Sequence, residues 1–162
     1  MNPNLFFTPT DILLPAHADM RRWSVIACDQ FTADAGYWQA VQDTVCDAPS
    51  TLRLMLPEFY LGKCDEAAAT REIQQTMRRY LDDGVFRTVP HSLVLVQRTL
   101  PGGAVRCGIV GALDLEAYDY APDSVTPIRA TEGTVASRLP ARVRIRAAAA
   151  LEMPHIMVFY SD

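Results

Sequence analysis

"HSLVLVQRTLPGGAVRCGIVGALDLEAY", His91–Tyr118, is the stretch that decides the fold. Two arms rich in Val, Leu and Ile flank Pro101-Gly102-Gly103. Proline followed by two glycines reverses a chain, and β-branched arms on either side make the reversal a hairpin. An antiparallel ribbon is therefore expected at the centre of the chain.

Just upstream lies the clearest helix, "DEAAATREIQQTMRRYLDDGVF". Acids open it, Gly84 closes it, and Ile73, Met77, Tyr80 and Leu81 form its apolar stripe. These are the signs of a helix dipole, a C-cap and a core-facing side. Before it, "STLRLMLPEFYL" alternates at Leu52, Leu54 and Leu56 and reads as a half-buried strand broken at Pro57. "TADAGYWQAVQDTVC" reads as a helix capped by Thr32, with Tyr37, Val41 and Val45 on one face. "WSVIACDQ" reads as a buried strand ending at Cys28-Asp29. Downstream, "TVASRLPARVRIRAAAALE" reads as a helix that Pro140 interrupts or restarts, and "HIMVFYSD" as a last apolar strand. The expected fold is α/β of the α+β kind: a mixed sheet with a central β-hairpin and about three helices packed on it. Residues 1–162 show no internal boundary and are expected to form a single domain.

With 162 residues the chain is long enough for a real core. Its net charge of −4 counts against nucleic acid as a partner of the whole surface. The basic residues are fourteen arginines and Lys63. Cys28, Cys46, Cys64 and Cys107 show no C-x-x-C spacing, and with three scattered histidines they make no metal pattern. The N-terminus has no basic stretch leading an apolar run, and no segment reaches a membrane span. A cytoplasmic protein with reduced, mostly buried thiols is expected.

Charge is segregated. "IRATEGTVASRLPARVRIR", Ile128–Arg146, holds five arginines against one acid, so it carries +4 and leaves −8 elsewhere. Gly133 and Thr134 stand just before a helix, where free N–H groups attract anions. Gly133 permits a ligand close to the backbone, and Thr134 can donate to a phosphate oxygen. Arg129 lies upstream, and Arg138 and Arg142 are one helical turn apart. Arginine forks bind phosphate in bidentate fashion. Glu132 is the candidate general base for a reacting hydroxyl. The competing reading is a solvated helical face, or an edge strand through the alternating "RVRIR". Asp29 is a further candidate ligand residue at a strand end, or else a turn or capping aspartate. His155 reads as a satisfied structural histidine.

The sequence resembles a bacterial and archaeal family of unknown function, numbered one thousand and fifteen. Family members show Arg-x-His-Glu-x-Thr followed by an arginine, a proline and an apolar strand. Arg129, Glu132, Thr134 and Arg142 match, with Thr131 in place of the histidine. "WSVIACDQFT" is similar to the family's first strand and its aspartate, here Asp29. "RCGIVG" is similar to its Arg-x-Gly-Ile-Ile-Gly strand, matched by Arg106, Gly108, Ile109, Val110 and Gly111. Members are longer and carry an Asp-Gly-His-His-Arg motif like that of ParB-like proteins and free serine kinases. This chain has no such motif and resembles the family's N-terminal portion.

The resemblance implies a phosphate-handling half-domain of a small-molecule, serine-like phosphotransferase, inactive alone. Glu132 would be its hydroxyl-activating residue, and Arg129, Gly133, Thr134, Arg138 and Arg142 its anion ligands. Nucleotide and Mg2+ would belong to the full-length architecture, with no cofactor on this chain alone. The alternatives are a non-catalytic interaction or dimerisation domain and a ParB-like nucleotide switch. The expected partner is a small phosphorylated or anionic ligand, with a homodimer as a further possibility.

Overall fold

The computed structural model describes residues 6–26, 31–121, 123–130, 133 and 135–153. It is mixed α+β. The chain divides into two compact units, one of Met1–Leu14 with Arg87–Thr134, the other of Pro15–Phe86 with Val135–Asp162. No compositional break marks this division. The first unit holds most of the strands and the second the helices.

The second unit has the core. Helix α1 (Met20–Trp23) is capped by Asp19, and α2 (Ala35–Val45) by Asp34, whose side chain accepts from Tyr37 N–H. Thr32 is therefore not the cap. Helix α3 (Glu66–Asp82) is capped by Asp65, which accepts from the N–H groups of Ala67 and Ala68, and Gly84 follows with φ 68°. Three of its four expected stripe residues are buried, Ile73, Met77 and Tyr80, whereas Leu81 is 38% exposed. They pack with Trp23 and with Leu54, which is only 1% exposed. Trp38, Val45 and Leu52 form a second cluster flanked by Tyr37, Val41, Phe59 and Tyr60.

The strand expected from Leu52, Leu54 and Leu56 is not a strand. Residues Thr51–Leu54 and Glu58–Tyr60 form short 3-10 turns. Residues two apart in a 3-10 turn diverge by roughly 240°, since it has three residues per turn. Leu52 and Leu54 therefore enter different clusters, where a strand would have sent both to one face. Ser50 fixes the turn. It is 0% exposed, and its hydroxyl donates to the Trp23 carbonyl at 3.3 Å and accepts from Leu52 N–H at 3.2 Å. The same Trp23 carbonyl accepts from the Thr51 hydroxyl at 2.7 Å. Trp23 thus closes a helix rather than opening a strand, residues 24–26 are irregular, and residues 27–30 lie outside the described residues.

Helix α4 (Leu139–Arg146) follows a 3-10 turn at Ala136–Arg138. Pro140 stands in its first turn, where a missing N–H costs nothing, so it starts the helix instead of breaking it. Ala141 is buried, and Ile145, one turn on, packs against the first cluster. The expected strand at 155–162 lies outside the described residues.

In the first unit the strands pair two by two among the described residues. β1 (Phe7–Thr8) pairs antiparallel with β6 (Ala112–Leu113), and β2 (Thr10–Pro15) pairs with β3 (Phe86–Ser92). The expected hairpin is present: β4 (Val94–Thr99) pairs antiparallel with β5 (Val105–Val110). β7 (Tyr118–Asp119) and β8 (Ile128–Arg129) are parallel. Gly111 separates β5 from β6 where a Cβ would sit 2.7 Å from the Thr8 carbonyl oxygen and from the side chains of Phe7 and Leu93. Only glycine fits such an approach.

The three described cysteines, Cys46, Cys64 and Cys107, are free and exposed, against the expectation of buried thiols. Among the described residues no helix is long and apolar enough to cross a membrane.

Leu54 gives the sharpest test of this core. Leu54→Ala should lower stability by about 2–5 kcal/mol, the range for emptying a fully buried leucine site. Leu81→Ala should cost under ~1 kcal/mol, because a half-solvated stripe residue leaves little cavity. Urea unfolding followed by circular dichroism measures both.

Candidate functional site

The expected anion site is distributed unevenly. Arg138 and Arg142 lie in the second unit, one helical turn apart. Arg129 lies in the first unit, where β8 pairs with Asp119 of β7. Gly133 is exposed, and nothing stands within 4 Å of where its Cβ would be. Asp29, Thr131, Glu132 and Thr134 lie outside the described residues, so the candidate base and the candidate phosphate donor have no described geometry.

What the structure brings together is Arg138, Arg142 and a residue the sequence reading missed, Glu58. Arg138 Nε lies 3.2 Å from Glu58 Oε2, and Arg142 Nη2 lies 3.0 Å from Glu58 Oε1. One carboxylate thus uses both oxygens on two different guanidinium groups. The Glu58 side chain is 21% exposed, that of Arg138 33% and that of Arg142 60%. The triad keeps a net charge of +1. A guanidinium has five donors, and Arg142 gives one nitrogen, Nη2, to Glu58.

The local structure explains the meeting. Glu58 opens its 3-10 turn directly after Pro57, and the next two residues, Phe59 and Tyr60, are held edge to face and packed on the second cluster. Across from it, α4 packs on α3, with Ile145 against the first cluster, and Ala141 is buried. Gln74 of α3 donates from Nε2 to the carbonyls of Arg144 at 2.9 Å and Ile145 at 3.0 Å. Arg78 donates to the Ala148 carbonyl at 3.4 Å. These side chains satisfy carbonyls that a helix end leaves without partners. With α4 so fixed, Arg138 and Arg142 share the side turned to Glu58.

Two further arginines of the segment are engaged too. Arg144 pairs with Glu66 and Arg146 with Glu152. Glu66 also accepts from Gly62 N–H at 3.0 Å, which ties the loop before α3 to the same network. The crowding of arginines therefore has two answers: two pairs brace α4, and two guanidinium groups converge on one carboxylate. Eighty-four residues separate Glu58 from Arg142, so no local pattern could have signalled their contact.

A separate cleft of about 670 Å³ opens in the second unit. Arg53, Arg79, Glu72 and Asp83 line it over an apolar floor that includes Leu52 and Ile73. Arg53 spends its guanidinium on the carbonyls of Ala48 and Cys46 at the end of α2. Among the described residues no three His, Cys, Asp or Glu side chains are grouped to hold a metal ion.

Exposed ion pairs are worth at most ~1 kcal/mol each. A double-mutant cycle between Glu58→Gln and Arg142→Gln should therefore give a coupling of about 0.5–1 kcal/mol in urea unfolding. A coupling near zero would mean that the contact is not held in solution.

The family described as "Protein of unknown function (DUF1015)" matches residues 9–162 of the chain. No curated protein and no solved structure matches it.

Proposed function

This chain belongs to the DUF1015 family, and from that premise we propose that it is an anion-handling module whose seat is the Arg138–Arg142 pair, serving a phosphotransferase-like reaction on a small phosphorylated substrate. The observation that carries the reading is the shared carboxylate. Glu58 presents two oxygens to two guanidinium forks at 3.2 and 3.0 Å, the geometry in which a phosphate would present two of its own. Glu58 stands in for the ligand and leaves the triad with a surplus positive charge. Both arginine side chains are reached from solvent, so an incoming oxyanion can compete for the forks. Arg129, Gly133, Thr134 and the candidate base Glu132 complete the reading in sequence. The chain alone binds and does not turn over.

Calorimetric titration with inorganic phosphate and with phosphoserine at low ionic strength tests this. Wild type should bind weakly. Glu58→Gln should bind about tenfold more tightly, a difference of ~1.4 kcal/mol, because the competing carboxylate is gone. Arg142→Gln should lose most of the heat. Identical heats from all three proteins would remove the proposal.

A second reading, an interaction module, is favoured by the first unit. Among its described residues only Ile128 is a buried large hydrophobic. On one face of the β4–β5 ribbon Leu95 is 72% and Ile109 59% exposed, and the register makes them direct partners. Val105 extends that face toward the turn. A second copy of the chain would cover it. Light scattering should then show a dimer that Leu95→Glu converts to monomer. A wild-type monomer at high concentration would dismiss this reading.

A further inference from the structure

The other face of the same ribbon carries a different chemistry. Arg98 and Arg106 are direct cross-strand partners, and so stand side by side on the face that also bears Val96 and Gly108. Both are exposed. Among the described residues neither side chain has a hydrogen bond or an ion pair, in contrast to Arg138, Arg142, Arg144 and Arg146. Like charges directly opposite on a ladder destabilise it. No acid is near in sequence to relieve them: between Asp83 and Asp114 there is no Asp or Glu, while Arg87, Arg98 and Arg106 fall in that interval. In a chain of net charge −4, this is a second basic region, distinct from residues 129–146.

The ribbon is also open. Residues 95–99 and 101–109 are exposed on both faces. The turn is closed by Leu100 N–H donating to the Ala104 carbonyl at 2.8 Å and Gly103 N–H donating to the Leu100 carbonyl at 3.0 Å. It holds the two strands, and with them the two guanidinium groups, in fixed register. Directly opposed residues have Cβ atoms roughly 4.5–5.5 Å apart, so both forks reach the oxygens of a single phosphate group.

We propose that Arg98 and Arg106 form a seat for a phosphate-bearing polyanion, independent of the Arg138–Arg142 pair. A single charge held in open water gains little from each exposed contact, so the ligand carries several phosphates. Two sources offer that chemistry: a free polyphosphate compound and the phosphodiester backbone of a nucleic acid. Non-covalent binding is the whole of the step.

Two titrations of the full chain test it and separate the sources. Inorganic tripolyphosphate is titrated calorimetrically, and a fluorescent random-sequence DNA duplex is followed by anisotropy, both at low ionic strength. Wild type should bind at least one probe, and Arg98→Gln/Arg106→Gln should weaken that binding tenfold or more. The Arg98→Lys/Arg106→Lys protein keeps the charge without the forks and should bind several-fold more weakly than wild type. Binding of tripolyphosphate alone assigns the seat to a free polyphosphate. Binding of the duplex, with a slope of about −0.9 in log affinity against log salt for the one phosphate that both forks share, assigns it to nucleic acid. The Gln double variant should melt no lower than wild type, since it removes a like-charge pair. Each titration is repeated in an Arg142→Gln background, where the Arg138–Arg142 seat is disabled, and the binding that remains should still fall on adding Arg98→Gln/Arg106→Gln, which keeps this outcome separate from that of the Arg138–Arg142 seat. Failure of both probes to bind wild type, or binding that persists at wild-type strength in the Gln double variant, overturns the proposal.

Discussion

The hydroxyl and N–H of Ser50 hold the second unit in place. Ser50 is wholly buried, and its N–H donates to the Tyr80 hydroxyl at 3.1 Å. Its side chain meanwhile bridges the Trp23 carbonyl and Leu52 N–H. A buried polar group without a partner costs about 1–3 kcal/mol, so these bonds specify one arrangement of α1, α3 and the turn at Thr51–Leu54. Tyr80 can reach Ser50 only when the stripe of α3 faces Leu54 and Trp23. Once α3 is set, Gln74 sets α4, and α4 presents Arg138 and Arg142. The turn fixed by Ser50 leads straight into Pro57 and Glu58. The triad is thus the far end of a chain of constraints that begins in the core.

Energetics suit the triad to exchange better than to stability. A buried ion pair would resist displacement, because separating it strands a desolvated charge. Here the arginines are partly solvated, and the net worth of each contact is small. Two forks aimed at one carboxylate are therefore preorganised at low cost, and an oxyanion of higher charge than Glu58 has the advantage. Arg144 and Arg146 do different work with the same side chain. Their carboxylate partners lie at the start of α3 and just beyond α4, and they brace the helix on which the forks stand.

Much of this was legible in the sequence, and the reasons for the rest are physical. Helix α3 announced itself through Asp65, its stripe and Gly84. The hairpin announced itself through Pro101-Gly102-Gly103, and family membership through ordered motifs spread along the chain. The strand expected at Leu52, Leu54 and Leu56 failed because alternation of leucines also fits a turn feeding two clusters. Ser50, the residue that chose between them, acts through Trp23 and Tyr80, which are remote in sequence. Trp23 likewise ends a short helix because its carbonyl is captured by Ser50 and Thr51. Glu58 was invisible for the same reason: its importance comes from long-range packing, and "LPEFYL" carries no sign of it.

The two units divide the chemistry. The second buries a core and uses it to aim charges, while the first lays apolar and basic residues on opposite faces of an open ribbon. The central claim, that Arg138 and Arg142 form an oxyanion seat held by Glu58, is tested most directly by nuclear magnetic resonance of the arginine Nε–Hε groups during a phosphate titration. The account predicts that the Arg138 and Arg142 signals shift together with the Glu58 carboxyl carbon, as phosphate takes the place of the carboxylate. Signals from all three that stay still up to saturating phosphate would contradict it.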